Sequence, residues 1–183
     1  MKDTGQVTGQ PDRLTTLDME IAMLKSVNPR QNLAVLNPSW GVNVNGRPIH
    51  ECDLLYITKT GYATEIEIKI SKADLLKDKF KRHGHIHNHI ARLYFAVPEK
   101  LKELALQEIP ERAGLFVVEE WLDKWAEPHQ WRTKVKLIRE AKRNPRAVKW
   151  TEKEQFSLAR LGTLRILPMK QKIKAALNKQ TEK

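Results

Sequence analysis

The sequence predicts an α/β fold: a mixed central sheet flanked by helices and followed by a basic C-terminal extension. Three observations lead there. Apolar residues recur at helical spacing in some segments and alternate in others, and the two patterns are interleaved along the chain. The strand candidates are short and separated by turns rich in Gly, Pro and Asn. The 183 residues, 40% hydrophobic and 30% charged, supply apolar material for one core but not for two full domains.

Residues 1–13 are polar, show no hydrophobic period and read as a mobile lead-in. Leu14, Leu17, Ile21 and Leu24 then recur at helical spacing, and Asn28-Pro29 ends the run because proline disfavours a helical residue before it. Asn32 to Leu36 is a short apolar strand. Asn37-Pro38-Ser39, Gly41 and Asn45-Gly46-Arg47-Pro48 mark turns. His50 to Thr58 and Tyr62 to Ile70 are β-rich runs joined by Lys59-Thr60-Gly61, the pattern of a hairpin. A polar helix opens at Ser71-Lys72-Ala73-Asp74 and reaches toward His89. A strand follows over Arg92 to Val97, then a short helix over Glu99 to Gln107 and a strand over Ala113 to Glu119. Beyond Glu120, Lys134 to Arg139 alternates as an edge strand does. Thr151 with Glu154 forms a capping-box signature for a last helix that runs through Phe156, Ala159 and Leu164 toward Ile166. Residues from Lys170 onward are basic and read as frayed. The chain thus divides into a lead-in (1–13), a core (14–119) and a basic extension (120–183).

A formal net charge of +11 and a pI near 9.8 point to a polyanionic partner, since clustered Lys and Arg release condensed counterions when they bind phosphates. DNA is the expected partner, with RNA left open. Residues 120–183 hold 17 Lys and Arg against 7 Asp and Glu, so the extension carries nearly all of the excess. No amphipathic segment joins a lipid-sized apolar face to a basic one, and no run of about 18 apolar residues occurs, so a membrane is not the expected partner. The single cysteine, Cys52, excludes a disulfide framework. With no leader segment legible, a reducing, cytoplasmic setting is expected.

The candidate chemistry lies in the hairpin. On a strand, Glu65, Glu67 and Lys69 share one face while Ile66, Ile68 and Ile70 share the other. If the turn pivots at Thr60, residues equidistant from it face each other, which sets Asp53 opposite Glu67. Two close carboxylates repel unless a positive group lies between them, and hard oxygen donors favour a Mg2+-type ion. Phosphodiester hydrolysis suits such a set, with Lys69 orienting the attacking water. Glu65 lies nearer the turn and is expected at the surface or as a partner behind the site. Alternating Glu and Lys is also how an ordinary solvated sheet face reads, and the opposed Asp53 weighs against that reading.

Asp53 followed after a hairpin by Glu67-Ile68-Lys69 resembles the signature of the PD-(D/E)XK nuclease superfamily, and the helix-strand-strand-strand-helix-strand order is similar to its core. The phrases Asn32-Leu33-Ala34-Val35, Ser39-Trp40-Gly41 and Ala63 to Asp74 resemble a small phage and bacterial branch. The resemblance covers about Leu14 to Glu119. It implies a restriction-endonuclease-like core and a Mg2+- or Mn2+-dependent DNA endonuclease, a function that can serve DNA repair. In that pattern Asp53, Glu67 and Lys69 are catalytic, and Asp53, Glu67, the Ile68 carbonyl and Glu20 are metal ligands. The chain departs from the motif at Cys52, which stands in place of the proline; many active members also lack that proline, so the departure lowers the specificity of the motif without excluding activity. The alternative is a catalytically silent DNA-binding or repair accessory protein with the same fold. A homodimer is left open.

After the hairpin, Lys72, Lys77, Lys81, Arg82, His83 and His85 form a basic, histidine-rich stretch expected to contact DNA phosphates. A helical spacing would also pair His83 with His87 or His85 with His89 as metal ligands, and plain surface is the third reading. Trp40 reads as structural. Trp121, Trp125 and Trp131 are expected to cover a sheet rather than to stack on bases.

Overall fold

A computed structural model describes residues 14–42, 48–77, 87–128 and 130–181. The lead-in, the Asn45-Gly46-Arg47 turn, and Lys81, Arg82, His83 and His85 lie outside these residues. The order of elements is α1 (Thr16–Ser26), β1 (Leu33–Leu36), β2 (Ser39–Val42), β3 (Pro48–Glu51), β4 (Leu54–Ile57), β5 (Ala63–Ile68), α2 (Lys72–Lys77), β6 (Ile90–Pro98), α3 (Lys102–Glu108), β7 (Gly114–Asp123), β8 (Gln130–Arg139) and α4 (Glu152–Thr181).

Six strands make one mixed sheet in the order β1-β4-β5-β6-β7-β8. The β5–β6 and β6–β7 pairs are parallel, and the other pairs are antiparallel. Two parallel pairs require crossovers, and α2 and α3 lie in them. The α/β class and the mixed sheet follow the expectation. β8, the expected edge strand, closes one side, so residues past 120 belong to the same sheet. β2 and β3 form a separate two-stranded ladder. This corrects two expectations. Ser39–Val42 is a strand and not part of a turn, and the run from His50 breaks at Cys52–Asp53, so only Leu54–Ile57 enters the hairpin with β5.

α1 begins with a reciprocal cap in which Asp18 N–H donates to Thr15 Oγ1 at 3.2 Å and Thr15 N–H donates to Asp18 Oδ2 at 2.9 Å. It ends at Asn28, whose φ of 51° is the left-handed conformation that closes many helices. Its buried side chains are Met19, Ala22 and Met23, whereas Leu17 and Ile21 are exposed. Of the periodic residues, Leu14 and Leu24 pack against the core while Leu17 and Ile21 do not, so the buried face is centred on Met19, Ala22 and Met23.

The sheet is covered on both sides. On one, α1 packs on Leu54, Ile66, Ile68, Tyr94 and Ala96. On the other, Leu75 of α2 and Ala105 of α3 cluster with Leu93, Phe95 and Val97, while Leu158 of α4 joins Val35, Leu55, Ile57 and Trp150. α4 opens with the expected capping box, Thr151 N–H donating to Glu154 Oε2 at 2.7 Å and Glu154 N–H to Thr151 Oγ1 at 3.3 Å. It does not stop near Ile166. It runs through Pro168 to Thr181, so the stretch from Lys170 is helical rather than frayed. Proline removes one N–H and frees the Leu164 carbonyl, but Leu164 is exposed, and water can satisfy that oxygen. Among the described residues no helix is long and apolar enough to cross a membrane.

Candidate active site

The hairpin register is the one that pivots on Thr60: Leu54 pairs with Ile66 and Leu55 with Glu65. Gly61 takes φ 84° in the turn, a conformation a side chain would strain. Asp53 lies one residue before β4, at the end of the hairpin away from the turn. Its Oδ2 accepts the Ile68 N–H at 2.6 Å. Lys69 follows β5, and its Nζ donates to Glu67 Oε2 at 2.6 Å and lies 3.8 Å from Asp53 Oδ2. One ammonium is thus flanked by two carboxylates, and all three groups reach one side of the sheet.

That side is not a solvated surface. β5 is buried along its whole length, with Glu65 0%, Glu67 1% and Lys69 4% exposed. Leu55 and Leu93 flank Glu65 in the paired strands, and Phe95 stands beside Glu67. Charges placed there lose hydration worth several kcal/mol per ion, and the Glu67–Lys69 pair offsets part of that loss. The expectation that Glu65 is a surface residue is corrected, because its strand is covered from both sides. The Asp53 side chain is 34% exposed and forms the outward edge of the group.

Asp53, Glu67 and Lys69 line an open cavity of about 410 Å3. Its wall also contains Asn37, Ser39, Glu51 and Cys52 from the β1–β4 segment, Asp74 from α2 and Arg165 from α4. Glu20 is not part of that wall. It accepts the Asn37 side-chain N–H at 2.8 Å, and the Asn37 backbone N–H donates to the Asp53 carbonyl at 2.7 Å. Asn37 has φ 49°, a conformation asparagine tolerates better than most residues. Glu20 therefore stands behind Asn37, one residue away from the cavity. A second cavity, about 200 Å3, lies at the start of β6 between Arg92, Arg112 and Arg143, and among the described residues its wall contains no carboxylate.

Lys72 and Lys77 are exposed on α2, and neither lines the carboxylate cavity. His87 and His89 precede β6 in a turn, not on the helix expected to reach them, so the spacing argument for helical histidine pairs does not apply to them. His89 Nε2 instead lies 2.9 Å from Glu154 Oε1, and the His89 carbonyl accepts the Trp150 indole N–H at 2.8 Å. The Glu154 carboxyl is held below its usual range, first by the Thr151 hydroxyl. Trp125 is 95% exposed in the β7–β8 turn and covers no sheet. The Trp40 side chain lies outside the description.

Arg165, Asn37 and Asp74 were not singled out by sequence reasoning. They come from three segments distant along the chain, and only the fold brings them to the cavity.

No family model matches this chain, and no curated protein matches it. A solved structure of SPO1766, a protein of unknown function from Silicibacter pomeroyi, is similar over 90% of this chain and 94% of its own, with a TM-score of 0.55 and 14% identity. At that identity the likeness concerns the fold alone. Its breadth takes in most of residues 120–183.

Proposed function

We propose that the chain is a metal-dependent nuclease that hydrolyses phosphodiester bonds in DNA, built on a restriction-endonuclease-like core of the PD-(D/E)XK type. The observation that carries the reading is the position of the Lys69 amine between the Asp53 and Glu67 carboxylates on the wall of an open cavity.

The donors fit a Mg2+- or Mn2+-type ion in kind, since carboxylate oxygens are what such ions prefer. They do not make a complete cage. Among the described residues no group of three His, Cys, Asp or Glu is spaced to hold a metal. Asp53, Glu67 and the Ile68 carbonyl would hold the ion, with water and phosphate oxygens completing its shell. Glu20 would act through Asn37, fixing the backbone that carries Asp53. The ion would supply charge neutralisation at the phosphate and a lowered pKa for a water.

The chain's own residues do the positioning. Lys69 sits where its amine can donate to the attacking water or to a non-bridging phosphate oxygen. The water oxygen adds to phosphorus as it gives up a proton to solvent, the bond to the leaving sugar oxygen breaks, and that oxygen takes up a proton from solvent. Glu67 is buried and held by Lys69, so its geometry changes little when a substrate enters.

One observation favours the silent DNA-binding alternative: Glu67 already has a cation, Lys69, against it. The two readings separate in a cleavage assay on circular, linear, single-stranded and branched DNA with Mg2+ or Mn2+. The nuclease reading expects cleavage of at least one form, loss on chelation, and a rate lower by about a hundredfold in Lys69→Ala. No cleavage of any form by metal-replete protein would leave the binding reading in its place.

A further inference from the structure

The C-terminal helix brings a cation to the candidate site that the signature Asp53, Glu67 and Lys69 does not include. Trp150 N–H donates to the Gly61 carbonyl at 2.8 Å, which fixes the start of α4 at the hairpin turn. The helix then runs along the sheet edge. Leu158 is buried against it, and Gly162 faces Val35 so closely that a Cβ there would lie 3.2 Å from the valine methyl. Leu158, Gly162 and Arg165 are spaced four and three residues apart, so they share one face of α4.

The lengths agree. Thr151 to Arg165 is 14 residues, or about 21 Å of helix at 1.5 Å per residue. Thr60 back to Asp53 is 7 residues, or about 23 Å of strand at 3.3 Å per residue. A helix starting at the turn therefore reaches the Asp53 end of the hairpin at Arg165, and Arg165 does line the cavity there. Among the described residues its guanidinium makes no ion pair or hydrogen bond, although Glu51, Asp53, Glu67 and Asp74 share the cavity wall.

We infer that Arg165 is a substrate-binding residue of this site, its guanidinium taking non-bridging oxygens of a DNA phosphate beside the one that reacts. The inference rests on the nuclease reading for the identity of the substrate. A cavity walled by four carboxylates repels a polyanion, and Lys69 is already committed to Glu67. A guanidinium presents paired N–H donors that match phosphate oxygens, which suits Arg165 to offset that repulsion. Past it, Lys170, Lys172 and Lys174 continue the basic character of the helix away from the cavity.

The test compares wild type with Arg165→Gln, Arg165→Lys and Arg160→Gln, the last on the opposite side of the helix. Binding of fluorescein-labelled duplex and single-stranded oligonucleotides is measured in Ca2+ across a salt series, and cleavage kinetics are measured in Mg2+. Arg165→Gln is expected to weaken binding about tenfold and lower the salt slope by about one, with KM raised more than kcat is reduced. Arg165→Lys should recover part of the loss, and Arg160→Gln should stay near wild type. A thermal melt within a few degrees of wild type would show that the effect is not structural. Unchanged affinity and slope in Arg165→Gln would overturn the inference and leave the nuclease reading standing. If wild type cleaves nothing, the nuclease reading fails, and the binding series still decides whether Arg165 contacts phosphate.

Discussion

Two regions of this molecule are rich in charge, and they are built on opposite terms. In β5 and the residue after it, Glu65, Glu67 and Lys69 are at most 4% exposed and lie between apolar clusters. In α4 the basic residues from Arg160 to Lys174 are exposed to water. A charge on α4 costs the fold almost nothing. A charge in β5 costs hydration that its partners only partly restore, and replacement by apolar residues of similar size is often neutral or stabilising. Buried charges held against that gradient are what the proposed catalytic role of β5 would account for.

The sharpest break of this comparison is between Lys69→Met and the triple change of Lys170, Lys172 and Lys174 to Gln. Removing the Lys69 amine leaves Glu67 buried without its ion partner and should destabilise the protein by about 3 kcal/mol in urea unfolding. The double variant Glu67→Gln, Lys69→Met should recover much of that loss. The α4 triple variant should stay within about 0.5 kcal/mol of wild type, because exposed charges contribute little. If single and triple variants unfold alike, the contrast between the two regions is wrong.

The two faces of α1 give a second contrast of similar kind. Met19→Ala should cost about 2–5 kcal/mol because the side chain is fully buried, whereas Leu17→Ala, at a site 59% exposed, should cost less than about 0.5 kcal/mol. Equal midpoint shifts would mean that Leu17 belongs to the packed face as much as Met19 does.

How much of this was legible in the sequence follows from what each signal can carry. The hairpin register was legible, because Lys59-Thr60-Gly61 fixes the pivot and a one-residue slip would move every side chain to the other face. The burial of Glu65 was not. Alternating Glu and Ile reads the same whether the charged side meets water or a second layer, and that layer is assembled from α2, α3 and α4. The α4 capping box was legible from Thr151 and Glu154 alone. The helix's passage through Pro168 was not, since proline argues for a stop and nothing local in the sequence shows that the Leu164 carbonyl it frees faces water. Asp53, Glu67 and Lys69 were found because a strand pair places them locally. Arg165 depends on a helix docked along the sheet edge, which no local pattern reveals.

A smaller effect concerns the α4 lysines as ligands for a polyanion rather than as parts of the fold. Changing Lys170, Lys172 and Lys174 to Gln should weaken DNA binding and flatten its dependence on salt without altering the cleavage rate at saturating DNA. A salt series in which the slope stays at the wild-type value would place the DNA path elsewhere.

The smallest expected effect lies in the core, at Tyr94. Burial, reinforced by donation of its hydroxyl to Glu140 at 2.6 Å, pushes its pKa from 10.0 up to about 12. A raised pKa means the folded state holds the proton more tightly, so this contribution is complete below pH 10 and is lost as pH rises toward 12. Tyr94→Phe should flatten the fall in stability over that window. An unchanged alkaline slope would show that the hydroxyl does not titrate as its surroundings imply.

The central claim, that Asp53 serves a cation and a reaction rather than the fold, is tested most directly by Asp53→Asn in paired binding and single-turnover cleavage measurements. Asparagine keeps the size of the side chain and an oxygen that can accept the Ile68 N–H, so the fold should persist. Loss of one negative charge weakens the hold on a divalent ion and removes repulsion toward phosphates. The account predicts DNA binding equal to or tighter than wild type, with cleavage slowed by about a hundredfold or more. Cleavage at the wild-type rate with unchanged metal dependence would contradict it.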